Sequence, residues 1–397
     1  MKILYIHQYF ATPKEPGGTR SYWISKELIK QGHQVTMLTT NKGRGKSKKV
    51  VIEDINVIYL NIPYSNHMSI LQRLMSFMKF MLLSSWKVLK SKDYDLIIAT
   101  STPLTVGFPA LIGKKLKNIP YLFEVRDLWP EVPVQMGGLK NKLAIKFAYW
   151  FENQIYKNAM HIVALSPGMR KGVTSTGVSD KKVTTIPNMS KIDKFWPREK
   201  KISLITELGL NPNSFKVVYF GSMGLANGMD YILDGAKFLN GDSNIEFVFL
   251  GGGSVEDTIK RRCKEEGIPH MNFYGRVPMD RLSEIVNVCD VSLVSFTNLP
   301  ILATNSPNKL FDSLSAGKPI IVNSSGWTKD MVERHQCGVF VDPTRPKKLA
   351  EQIIKLKNDS ALCRTYGENA RKLAEEKFDK SILCTQFVEL VESLPLS

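Results

Sequence analysis

The stretch SPNKLFDSLSAGKP, Ser306 to Pro319, reads as a helix that opens on one proline and stops at a glycine just before a strand. Pro307 suits a first turn, where its missing N–H has no partner to lose. Gly317-Lys318-Pro319 ends the helix, because glycine accepts a left-handed cap and proline cannot continue the ladder. The apolar run Pro319–Val322 follows at once. A helix feeding a short buried strand is the unit of a parallel α/β sheet. Lys309 and Asp312 lie on one face of this helix. At its start, Lys309 is placed to meet a diphosphate, and Asp312, one turn on, to accept two hydroxyls of a ribose. The alternative, and without the surrounding pattern the better reading, is an exposed ion pair of the two.

Outward from this unit the pattern repeats along the whole chain. Short Ile/Val/Tyr-rich runs stand at Lys2–His7, Gln34–Thr39, Val57–Ile62, Leu96–Thr100, Tyr121–Val125, His161–Leu165 and Val183–Ile186. A second set stands at Val217–Phe220, Glu246–Leu250, Asn272–Tyr274, Val291–Phe296, Pro319–Val322 and Val339–Val341. Continuous apolar runs of this length suit parallel strands buried on both faces. Helical patterns separate many of them (Arg20–Gln31, Asn141–Lys157, Asp230–Leu239, Glu256–Glu266, Asp280–Val288). The expected fold is therefore α/β, with two doubly wound domains and a ligand cleft between them. The expected boundaries are 1–190 for the first domain, 191–200 for a charged linker, 201–380 for the second domain, and 381–397 for a final helix packing back on the first.

The 397 residues carry 54 Lys and Arg against 37 Asp and Glu, a net charge of +17. Residues 1–200 hold 31 of those basic and 13 of those acidic residues, so the whole excess lies in the first half. Such a half should face something anionic. The five cysteines form no C-x-x-C pair and are odd in number, which argues for a reducing compartment and against a disulfide framework or a structural zinc site. No run of about 18 apolar residues is present to span a bilayer. Met68–Lys92, rich in Met, Leu and Phe but broken by Arg73, Lys79, Lys87 and Lys90, reads as a helix lying on a surface. Lys42, Arg44, Lys46, Lys48 and Lys49 cluster near one loop beside it.

Three further stretches carry candidate chemistry. Gly17-Gly18-Thr19-Arg20 lies between the first strand and a helix start, where backbone N–H groups and Arg20 favour an anion. The dinucleotide fingerprint G-x-G-x-x-G is absent there. Glu124-Val125-Arg126-Asp127-Leu128-Trp129-Pro130-Glu131 crowds charge just past a strand end, where carboxylates handle protons or bind sugar hydroxyls. Glycines after the strands Val217–Phe220 and Glu246–Leu250 form Gly221-Ser222-Met223-Gly224 and Gly251-Gly252-Gly253. The first suits a phosphate cradle, and the second reads better as ordinary strand-to-helix punctuation.

In order and spacing these motifs, with Ile186-Pro187-Asn188 and Gly275-Arg276-Val277, resemble those of the retaining family 4 glycosyltransferases, whose GT-B fold has two facing Rossmann-like domains. The resemblance runs over nearly the whole chain. Within the family, Arg126–Glu131 and Ser306–Lys309 look most similar to a subgroup of bacterial fucosamine transferases that extend lipid-linked saccharides for O-antigen or capsule. By that resemblance Asp312 holds the donor ribose, Gly275, Arg276 and Val277 read the nucleotide base, and Ser306, Asn308, Lys309 and Leu310 line the donor diphosphate. Gly221, Ser222 and Asn227 belong to the donor loop. Arg126 and Asp127 stand where many members carry a catalytic-site histidine and an acid, with Glu124 and Glu131 sharing that work. Gly17, Gly18 and Arg20 contact the donor phosphate or the acceptor. Two family features are missing: Thr304 replaces the first glutamate of the E-x7-E motif, and Ser222 or Met223 and Asn227 stand where Arg and Lys are common.

The resemblance implies a retaining, metal-independent transferase that uses a UDP-sugar donor and a polyprenyl-diphosphate-linked acceptor. It would sit on the anionic cytoplasmic face of a membrane, bind no nucleic acid and need no cofactor. A UDP-sugar epimerase on the same fold, or a non-catalytic basic protein binding membrane or nucleic acid, are the alternatives.

Overall fold

The computed structural model describes residues 1–396 except 16, 44, 66, 67, 92, 93, 240, 241 and 243. Arg44 and Lys92 of the expected basic surface therefore lie outside the described residues. The chain divides into two compact units, Met1–Pro187 with Ser381–Ser397, and Asn188–Lys380.

The first unit holds strands β1 (Lys2–Ile6), β2 (Gln34–Thr40), β3 (Lys48–Ile52), β4 (Ile55–Leu60), β5 (Leu96–Thr100), β6 (Tyr121–Val125), β7 (His161–Ala164) and β8 (Val183–Thr185). They form one sheet in the order β3-β4-β2-β1-β5-β6-β7-β8. All its pairings are parallel except β3 with β4. Every residue of β5 and β6 is buried, as strands covered by helices on both faces require.

Sequence reasoning missed β3. Lys48 and Lys49, expected in a basic loop, sit on this edge strand, where lysines deter pairing with another chain. Its hairpin turns at Glu53 and Asp54, both at positive φ (47° and 72°). No glycine announces the turn. Lys26 instead donates to the Glu53 carbonyl oxygen at 2.8 Å, and the Tyr22 hydroxyl donates to the Glu53 carboxylate.

The second unit holds β9 (Phe215–Ser222), β10 (Ile245–Gly252), β11 (Met271–Phe273), β12 (Val291–Val294), β13 (Ile320–Val322) and β14 (Gly338–Phe340). They run parallel in the order β11-β10-β9-β12-β13-β14. Alternation along β9 builds two cores: Val217 and Tyr219 join one layer, Val218 and Phe220 the other. In each sheet the strand order reverses beside the unit's first strand, between β1 and β5 and between β9 and β12. Ligands of open α/β sheets bind at the carboxyl ends of such switch points. The segment expected as a charged linker, 191–200, falls within the second unit, with Lys191 and Phe195 buried.

Candidate active site: two sheet edges

In the second unit, the last turn of chain in β9 passes through Gly221, whose φ of +117° suits only glycine. The end of β10 lies directly beside it in the sheet, Gly251 opposite Gly221. A Cβ on Gly251 would lie 1.9 Å from the Gly221 carbonyl oxygen, and one on Gly253 would lie 2.3 Å from that of Met223. Close backbone packing is thus the work of the Gly251–Gly253 run.

Helix Asn308–Ser315 brings Lys309 under this loop. Its ammonium donates to the Tyr219 hydroxyl at 2.6 Å and stands 3.8 Å from that ring's centroid. The same hydroxyl donates to the Ser222 carbonyl at 2.5 Å. A Cβ on Gly221 would come within 3.7 Å of the Lys309 nitrogen, so the amine lies against the loop backbone. Lys309 is only 8% exposed. Burial pushes its pKa down to about 7, with no carboxylate close enough to offset it.

The alternative reading, an exposed ion pair of Lys309 with Asp312, does not hold. Asp312 is buried and pairs with Lys191. Burial raises the Asp312 carboxyl above its usual range, and Lys191 opposes the rise. Segment 188–191 is also tied to the helix and the turn before it: the Asn188 amide donates to the Ser306 carbonyl at 2.5 Å, and the Ser190 hydroxyl to the Phe311 carbonyl at 3.0 Å. The sequence signal for Lys191 was weak, since nothing in its spacing ties it to Asp312.

Other expected donor residues fall on the same edge with varied duties. Asn227 accepts from the Gly224 N–H at 3.2 Å and closes its own loop rather than reaching outward. Gly275 takes φ +67° with open space where a Cβ would be, and its carbonyl accepts from the Gly251 N–H at 2.6 Å. Arg276 and Asn308 are exposed, and Val277 is half-buried. Leu310 is fully buried, so its side chain belongs to the core. Thr304 donates to the Ile301 carbonyl at 2.7 Å, a local helix bond.

The first unit's edge is also polar, but two expected groups are occupied. Arg20 is buried, donates to Glu124 at 2.7 Å, and donates also to the carbonyls of Ile186 (3.0 Å) and Pro187. Glu124 has no exposure and receives the Thr100 hydroxyl at 2.5 Å as well. Arg20 is therefore not a free cation for phosphate, and Glu124 cannot touch a ligand: both expectations are corrected by an internal ion pair. Burial alone would raise the Glu124 pKa, but Arg20, Arg126 and the hydrogen bonds hold it below the usual range. Gly17 is exposed and Gly18 half-buried at the helix entry.

Arg126 and Asp127 are half-buried and lie past the end of β6. The Arg126 N–H donates to the Ser101 hydroxyl at 2.9 Å, and Asp127 accepts from Thr102 at 2.6 Å. Burial raises the Asp127 pKa, against that hydrogen bond and Arg126. Glu131 accepts from Gln135 at 2.6 Å and from the Tyr149 hydroxyl. Sequence reasoning missed His7, just past β1, whose Nε2 meets the Arg126 guanidinium at 3.1 Å. Among the described residues no group of three or more His, Cys, Asp or Glu is placed to hold a metal ion.

One surface of the first unit is inverted. Helix Ile70–Lys90 buries Ser76, Phe80, Ser84, Ser85 and Val88. It exposes Ile70, Leu71, Leu74, Met75, Met78, Leu82, Leu83, Trp86 and Leu89 among Lys79, Lys87 and Lys90. It packs on helix Gly107–Lys117, which packs on helix Lys142–Asn158. That last helix exposes Leu143, Phe147, Tyr149 and Trp150 beside Lys142 and Lys146. No helix among the described residues is long and apolar enough to cross a membrane.

Both units carry a polar or cationic sheet edge at a switch point, and both match known families. Residues 17–189 match a glycosyl transferase 4-like domain, and residues 201–373 match glycosyl transferases group 1. The chain belongs to the glycosyltransferases of the GT-B fold, family 4. Among named proteins it is 21% identical over 359 residues to "Probable glycosyltransferase WbjE" of Pseudomonas aeruginosa, covering 88% of each chain. Sucrose-phosphate synthase of Thermosynechococcus elongatus superposes with a TM-score of 0.79 at 18% identity, over 99% of this chain and 98% of that one. Anabaena Alr3699/HepE in complex with UDP-glucose superposes with a TM-score of 0.73 at 19% identity, over 99% of this chain and 100% of that one.

Proposed function

We propose that the protein moves a sugar from a UDP-sugar to a hydroxyl of a polyprenyl-diphosphate-linked saccharide, with retention at the anomeric carbon, in building an O-antigen or capsule. The observation that carries this is the buried, carboxylate-free Lys309 ammonium against the glycine end of β9. The likeness to a protein held in complex with UDP-glucose supports a UDP donor. The resemblance of Arg126–Glu131 and Ser306–Lys309 to fucosamine transferases favours an N-acetylated deoxyhexosamine such as N-acetylfucosamine.

In this reaction the bond from the anomeric carbon to the diphosphate breaks, and a bond to the acceptor oxygen forms on the same face. The acceptor's proton passes to an oxygen of the leaving diphosphate. Lys309 and the N–H groups at the β9 end stabilise the charge that builds on that diphosphate, so no metal cofactor is called for. Asp127, aimed by Thr102, orients the sugar or acceptor hydroxyls. The test is incubation with a panel of nucleotide sugars and a polyprenyl-diphosphate saccharide. Transfer from a UDP-sugar with retained configuration is expected. Conversion of the sugar without acceptor would mark an epimerase and overturn the proposal.

A Lys309 amine near neutral pH makes binding proton-linked. Near pH 8 it is mostly uncharged, and a bound diphosphate favours the charged form. UDP binding at pH 8 should take up about one proton, fading below pH 6. Calorimetry in buffers of different ionisation enthalpy reads this directly, and zero uptake at pH 8 would contradict it.

The outward apolar face of helix Ile70–Lys90, with that of Lys142–Asn158, is proposed to lie on an anionic membrane, where a lipid-linked acceptor resides. Each lysine near such a surface contributes roughly 1 kcal/mol, and Trp, Leu and Phe insert at the interface. The protein should float with anionic vesicles at low salt, and Leu82→Glu with Trp86→Glu should lower the bound fraction about tenfold or more. Equal flotation of both proteins would mean that this face is not the docking surface.

A further inference from the structure

The imidazole of His7 is 2% exposed, at the carboxyl end of β1, beside the switch point of the first sheet. Its Nδ1 lies 2.7 Å from the Ser21 hydroxyl and its Nε2 lies 3.1 Å from Nη1 of Arg126. A guanidinium only donates. Nε2 must therefore accept, which leaves the proton on Nδ1, donated to Ser21. The main chain of Arg126 is fixed separately by Ser101. We propose that His7 is a positioning residue: as an uncharged Nδ1–H tautomer it fixes the Arg126 guanidinium at this edge, and its protonation releases it.

The charged groups acting on His7 are Arg126 and, from the loop after β2, Lys42, both cations. The carboxylates of this edge are held elsewhere, Asp127 by Thr102 and Glu124 by Arg20 and Thr100. Burial first, and then the two cations, keep His7 well below its ordinary pKa. A charged His7 would face Arg126 with two like charges and no acceptor. Release thus belongs to pH well under 6.5, and through the working range the guanidinium stays fixed.

The role in turnover rests on the transferase proposal, so the test has two arms. By nitrogen-resolved NMR the His7 ring should be neutral and protonated at Nδ1 at pH 7. The Arg126 guanidinium should rotate slowly in the wild type and freely in His7→Leu. A ring protonated at Nε2, a charged ring, or unchanged rotation in the variant overturns the inference whether or not a donor is known. In turnover, His7→Leu should lower kcat about 10- to 100-fold with donor KM within about twofold. His7→Gln, which keeps an uncharged acceptor, should recover most of kcat and lose the acidic limb of the pH profile. An unchanged kcat in a folded His7→Leu confines His7 to packing and overturns its positioning role. Absence of turnover in the wild type would instead count against the transferase proposal, leaving the NMR arm to decide the tautomer and the fixed guanidinium.

Discussion

Lys309→Met is expected to lower sugar transfer on the order of 100- to 1000-fold and at the same time to raise the melting temperature. The loss arises if the ammonium is the main fixed charge on the leaving diphosphate, since removing one such stabiliser has effects of that size. The gain arises from burial. A lysine whose pKa falls to about 7 on folding disfavours the folded state wherever it would otherwise be charged. Between about pH 7 and the unfolded value near 10.5, the unfolded chain holds a proton that the folded chain lacks, so stability rises with pH across that window. Methionine fills similar space without charge, loses the bond to Tyr219, and should stabilise by about 2 kcal/mol at pH 7. Its pH–stability curve should lack the wild-type rise contributed by Lys309. Calorimetric melting from pH 6 to 10, beside the transfer assay, checks both. A variant that is less stable and still active would leave Lys309 as a packing residue.

Glu124→Gln should destabilise the first unit by about 3–5 kcal/mol, because it leaves the Arg20 guanidinium buried without its counter-charge. For a unit of this size that is a fall in melting temperature of roughly 8–15 °C. The folded Glu124 carboxyl titrates below its unfolded range. Its contribution is therefore present above pH 4.5 and is lost as pH falls through the lower, folded value. The double variant Arg20→Met/Glu124→Leu should recover much of the loss, since it removes both charges together. Denaturant unfolding of the three proteins decides it. A Glu124→Gln protein as stable as wild type would mean that the pair contributes nothing.

The strands were legible because parallel strands covered on both faces are continuous apolar runs, as in Leu96–Thr100 and Tyr121–Val125. β3 was not, because an edge strand is half-exposed and its Lys48-Lys49 start looks like a loop. At the sites, glycine positions and the placing of Lys309 on a helix start could be read from local spacing. Long-range partners could not. Arg20 and Glu124 are 104 residues apart, and Lys191 and Asp312 are 121 apart. Nothing in one chain announces that an arginine after two glycines will be neutralised inside the fold, or that Asp312 will be met by a lysine from the segment after Pro187. His7 escaped notice for a related reason: a histidine ending an apolar run more often satisfies a core hydrogen bond, and only the fold sets Arg126 beside it.

If the glycine end of β9 and Lys309 hold the diphosphate of a UDP-sugar, a crystal structure of the protein with UDP will show it. Phosphate oxygens should lie within hydrogen-bond distance of the Lys309 amine, against the Gly221–Ser222 end of β9. A diphosphate bound elsewhere, with Lys309 still bonded only to Tyr219, would refute this placing of the donor.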